Sequence, residues 1–177
     1  MTNNIDKRRH SIRLTDYDYS AAGNVTLNQY GRIALDEWRF SAAMREEIDL
    51  DAFVVMPNHV HGIVVIKHDI YGNIVGATAQ SPLQQPDYPQ RGPARHSLAS
   101  FIVGYKGAVT RRINALRKSA DAPVWQRNYY ERILRNDDEL SRASFYIQEN
   151  PARWADDDYY PAREAKIKDN ADSPVFR

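Results

Sequence analysis

No cysteine occurs anywhere in the chain, which removes disulfides, thiolate metal sites and a thiol nucleophile together and leaves histidine, carboxylate, tyrosine, serine and lysine to carry any chemistry. No apolar run approaches the roughly 18 residues of a membrane-spanning helix, and the polar opening Met1-Thr2-Asn3-Asn4-Ile5-Asp6-Lys7-Arg8-Arg9-His10 lacks the apolar centre of a signal peptide. A soluble, cytoplasmic protein is therefore expected. Net charge is nearly absent as well: 24 Lys and Arg oppose 23 Asp and Glu for a balance of +1, so the overall charge selects no polyanionic partner.

The distribution of charge is more informative than its sum. Residues 91–118 hold seven bases (Arg91, Arg95, Lys106, Arg111, Arg112, Arg117, Lys118) and no acid, whereas Asp156-Asp157-Asp158 is acidic. Such asymmetry suits a phosphate backbone on one surface, and equally a solvated basic face. With 177 residues and 42% hydrophobic composition, the chain is expected to form a single domain over residues 1–177.

Periodicity divides the chain. Residues 31–47 carry Ile33, Leu35, Trp38, Ala42 and Met44 near helical spacing. Residues 48–56 and 60–66 are rich in Val, Ile and Phe and flank the turn pair Pro57-Asn58, which predicts two antiparallel strands joined tightly. Residues 67–95 are scattered with Gly and Pro and read as a flexible loop, and residues 155–177 read as a polar tail. Ser97 is the expected N-cap of a helix reaching about Lys118, with Leu98, Ile102, Tyr105, Val109, Ile113 and Leu116 on one stripe. Residues 124–134 lean towards strand, and residues 137–150 towards helix, with Asp137, Asp138 and Glu139 favourable at its start.

The richest stretch is Met56-Pro57-Asn58-His59-Val60-His61-Gly62. Successive side chains of a strand alternate faces, so His59 and His61 should share one face about 7 Å apart along the chain, with Val60 on the other. Two imidazoles so placed can hold one divalent metal and leave open positions for substrate oxygens.

This motif is followed by Tyr105-Lys106-Gly107-Ala108-Val109-Thr110-Arg111-Arg112-Ile113-Asn114, by Val124-Trp125-Gln126-Arg127-Asn128-Tyr129-Tyr130-Glu131 and by Tyr146-Ile147-Gln148-Glu149-Asn150-Pro151. In order and spacing the four resemble the tyrosine transposases associated with repetitive extragenic palindromes (REP-associated), within the wider group of single-strand nucleases bearing a His-hydrophobe-His motif. The resemblance spans roughly residues 6–154. It implies an α+β, ferredoxin-like antiparallel sheet with helices packed on one face, a divalent metal (Mg2+ or Mn2+) on His59 and His61, and a tyrosine on a following helix. The implied reaction is DNA transposition: cleavage of single-stranded DNA beside a hairpin through a 5′-phosphotyrosine.

Two departures accompany it. In many relatives the nucleophile lies near the position of Val109, so Tyr105, one helical turn earlier, is the best catalytic candidate; on its apolar stripe it is equally readable as a core aromatic. Only residues 20–26 join the tract ending at Tyr19 to Leu27, too few for the hairpin of relatives, which predicts a sheet lacking its first strand. These departures motivate the alternative of a catalytically decayed DNA-hairpin-binding protein. Expected DNA contacts are Lys106, Arg111, Arg112, Asn114, Trp125, Gln126, Arg127 and Tyr130, mixing cations with rings suited to base stacking. His10, His68 and His96 are expected to be solvated, and Tyr146, Ile147 and Trp154 to pack the last helix.

Overall fold

The computed structural model describes residues 2–4, 13–16, 26–68, 92–120, 122–127 and 129–154. The expected loop and tail thus fall largely outside the described residues, as does His10.

A three-stranded antiparallel sheet organises the chain, with β1 (Thr2–Asn4) and β4 (Ile48–Val55) on either side of β5 (His59–Ile66). A small hairpin pairs β2 (Thr15–Asp16) with β3 (Thr26–Leu27). Because β1 and β4 both run antiparallel to β5, they are parallel to each other, and helix α1 (Gln29–Ala43) lies in the connection between them. This split β-α-β unit is half of a ferredoxin-like arrangement. The edge expected to stand empty is held by β1, in its three described residues.

Pairing of β4 with β5 runs Ile48↔Ile66, Asp49↔Val65, Leu50↔Val64, then shifts and resumes as Phe53↔Gly62, Val54↔His61, Val55↔Val60. The shift sets two residues, Asp51 and Ala52, opposite Ile63, a β-bulge. Its effect on the core is direct. Without the extra residue Ile48 and Leu50 would point away from Phe53 and Val55; with it, all four face the same core.

Helix α1 starts at Asn28, whose Oδ1 accepts from Tyr30 N (2.9 Å) and Gly31 N (3.0 Å) while its Nδ2 donates to Arg13 O (2.8 Å). Gly31 is required there: a Cβ would lie 2.0 Å from Leu14 O. Helix α2 (Leu98–Leu116) begins at Ser97, as expected, and buries Phe101, Ile102, Tyr105, Val109 and Ile113. The two helices pack together on one face of the sheet around Trp38, which stacks on Phe53 (4.4 Å) and meets Phe101 and Tyr105 edge-on. Arg112 ties them from outside by donating to Glu37 at 2.8 Å.

Helix α3 (Asp137–Glu149) follows the sequence reading in extent but not in placement. It packs on β4 and β5, and its partners Asp51, His59 and His61 identify the sheet face opposite α1 and α2. The described residues among 124–134 form no strand of either sheet, Tyr130 making an isolated bridge. Instead Val124 and Trp125 are buried beneath α2, with Trp125 Nε1 donating to Lys106 O (3.1 Å) and Lys106 Nζ to Gln126 O (2.8 Å). No helix among the described residues is long and apolar enough to cross a membrane.

Candidate metal centre

His59 and His61 occupy one face of the central strand, as alternation requires, while Val60 points into the core beside Val55. Their Nε2 atoms converge to 2.9 Å, with ring centroids 4.7 Å apart and planes nearly perpendicular. Both are buried, His59 at 2% exposure and His61 at 8%. Burial pushes the His59 imidazole down to about 4 from 6.5, so it is neutral at pH 7 and able to offer a lone pair.

The cover over this pair comes from α3 and the turn after it. Tyr146 sets its ring edge-on to His61 at 5.8 Å, and Trp154 lies 6.1 Å from His59. Tyr146 lies in the last turn of α3, Asn150 caps that helix with φ and ψ of −57° and −41°, and Trp154 follows in the turn beyond it. Asn150 is 6% exposed, and its Nδ2 has no hydrogen-bond partner among the described residues. An amide buried unpaired costs about 1–3 kcal/mol, which is tolerated where the side chain serves something besides the fold. The two convergent imidazole nitrogens would suit a divalent cation, held by His59 and His61. Imidazole donors favour a first-row transition ion over magnesium, whose preferred ligands are oxygen. Among the described residues, no third His, Cys or carboxylate joins the pair.

Tyr105 is not part of this centre. It is fully buried on the opposite side of the sheet, its hydroxyl donating to Ala34 O at 3.2 Å. Burial, reinforced by the Glu37 charge, pushes its hydroxyl well above the ordinary phenol range, so it is held as a neutral core phenol. Val109 is equally buried, so neither turn of α2 presents a nucleophile. Among the described residues, the tyrosine that meets the histidines is Tyr146, 53% exposed, with its ring edge-on to that of His61. Its neighbour Ile147 does pack, at 5% exposure.

Several expected DNA contacts have structural duties. Lys106 and Gln126 bond to each other, and Trp125 is 9% exposed against Tyr105. Asn114 Nδ2 donates to Ala120 O (2.9 Å) and its Oδ1 accepts from Arg117 Nε (2.9 Å), closing the end of α2. Arg112 is committed to Glu37. Arg111, Arg127 and Tyr130 are exposed. His96, expected in solvent, lies 3.2 Å from the buried Glu47 carboxylate and adopts a left-handed φ of 56°. Two surface hollows lie between α1 and α2, lined by residues such as Phe40, Met44 and Arg111, away from the histidine face.

Comparison with other proteins adds kinship without an activity. An uncharacterized protein of Haemophilus influenzae is 30% identical over 173 residues, an alignment covering 86% of this chain and 93% of that one. The chain belongs to the same family as that protein. No protein-family model and no solved structure matches it.

Proposed function

We propose that the protein is a metal-assisted tyrosine transposase, an endonuclease and strand transferase for single-stranded DNA at hairpins, with His59 and His61 as metal ligands and Tyr146 as nucleophile. The observation that carries this reading is the Tyr146 ring against His61 at the open border of an otherwise buried histidine pair. A divalent cation on the pair, when bound, would offset charge on the non-bridging phosphate oxygens. Attack by Tyr146 Oη on phosphorus forms the phosphotyrosine ester and breaks the bond to the 3′ oxygen, which leaves with the phenol proton as a free 3′-hydroxyl. The ester retains the bond energy, so another 3′-hydroxyl can reverse the attack and join strands.

Surface chemistry near Tyr146 suits a nucleic acid. Phe145 on the same helix is 66% exposed, and Arg142 and Arg153 are exposed on and just beyond α3. Rings of this kind stack on bases at about 1–3 kcal/mol each, and guanidiniums meet phosphate. The test is incubation with manganese and either a hairpin carrying a single-stranded flank or the same sequence as a duplex. Cleavage of the flank that stops on chelation supports the proposal. Salt-sensitive binding of the hairpin with no cleavage in manganese would identify the binding module instead.

A further inference from the structure

We infer that Asn58 is a positioning residue that fixes the tautomer of His59, keeping the His59 Nε2 lone pair aimed at the space shared with His61. Side chains of adjacent strand residues point to opposite faces, so a contact between residues 58 and 59 requires the first to lie outside the strand. It does: β5 begins at His59, and Asn58 belongs to the turn. That turn is anchored at both ends, Met56 N donating to His59 O (2.8 Å) and Leu14 N to Pro57 O (3.0 Å). Held in this way, Asn58 Oδ1 sits 2.7 Å from His59 Nδ1.

The chemistry of the two groups determines the proton. An amide oxygen only accepts, so the hydrogen of this short contact resides on Nδ1. A neutral imidazole has one N–H, which leaves Nε2 bare, 2.9 Å from His61 Nε2. In the metal-free protein His61 therefore donates Nε2–H to His59, and only His61 has to release a hydrogen for both nitrogens to present lone pairs. The inference rests on the proposed role of the pair as ligands, but the tautomer itself is measurable without metal or DNA.

The experiment is long-range proton–nitrogen correlation NMR on nitrogen-15-labelled, metal-free protein, with Asn58→Leu and Asn58→Asp beside the wild type. The wild type should show a protonated Nδ1 and an unprotonated Nε2 for His59. Asn58→Asp, which keeps an acceptor oxygen, should preserve that signature, and Asn58→Leu should lose it while retaining the wild-type circular dichroism. In parallel, manganese affinity should fall about 10- to 100-fold in Asn58→Leu, the usual effect of removing a ligand's supporting hydrogen bond. A wild-type His59 protonated on Nε2, or an Asn58→Leu protein with unchanged tautomer and unchanged affinity, would overturn the inference. A correct tautomer in a protein that never cleaves DNA would sink the proposed function and leave this inference standing.

Discussion

Acidifying the metal-free protein should remove a definite part of its stability, and the part belongs to one side chain. His59 is buried, and burial lowers its pKa from 6.5 to about 4. Above pH 6.5 the imidazole is neutral in both folded and unfolded chains, and its contribution is fully present. As pH falls below 6.5, the unfolded chain takes up a proton that the folded one refuses, so stability declines until about pH 4, where both forms are protonated. At about 1.4 kcal/mol per pH unit, the whole loss is on the order of 3 kcal/mol. Glu47 titrates in a lower window: burial pushes it up, but its backbone hydrogen bond, His96 and Arg45 together hold it below 4.5. The assay is urea unfolding at intervals between pH 7 and pH 4, comparing wild type with His59→Gln. The wild-type curve should fall more steeply by about 3 kcal/mol over that range. Parallel curves would mean that His59 is solvated or already charged, and the buried-pair geometry would be wrong.

Gly62→Ala puts a methyl 2.6 Å from the Trp38 ring and 2.9 Å from Phe53, and should destabilise by about 1–3 kcal/mol in denaturant melts while weakening manganese binding through the displaced β5. Tyr105→Phe removes only the hydroxyl that donates to Ala34 O and should cost about 1 kcal/mol, with DNA cleavage by the folded protein unchanged. Asn136→Ala deletes the N-cap of α3, where Oδ1 accepts from Glu139 N at 2.8 Å, and should cost about 1 kcal/mol in thermal unfolding.

Much of this organisation is legible in the chain because it follows period. The alternation of His59, Val60 and His61 requires a shared face for the imidazoles, and the stripe through Ile102, Tyr105, Val109 and Ile113 is the buried face of α2. The bulge is not written in the pattern, since residues 52–56 are all apolar and show no alternation; it emerges only in the pairing of β4 with β5. What period cannot convey is which sheet face a helix covers. Tyr146 reads as packing because it adjoins buried Ile147, and Tyr105 is preferred as the nucleophile because only its helix is placed beside the motif by resemblance. The overlooked signal is the grouping of Tyr146, Asn150 and Trp154, a polar amide set between two aromatics. Residues 124–134 mislead for a different reason. Their β-leaning composition is overridden by docking on α2, through the burial of Val124 and Trp125 and the bonds from Trp125 Nε1 to Lys106 O and from Lys106 Nζ to Gln126 O.

The most direct test is to find which tyrosine becomes linked to DNA. Protein incubated with manganese and a hairpin bearing a single-stranded flank would be digested, and the nucleotide-bearing peptide sequenced by mass spectrometry. The modification is expected on Tyr146, and Tyr146→Phe should abolish the covalent adduct while His59 and His61 still bind manganese. Linkage at Tyr105, or an adduct that persists undiminished in Tyr146→Phe, would contradict the assignment of the site to the α3 face of the sheet.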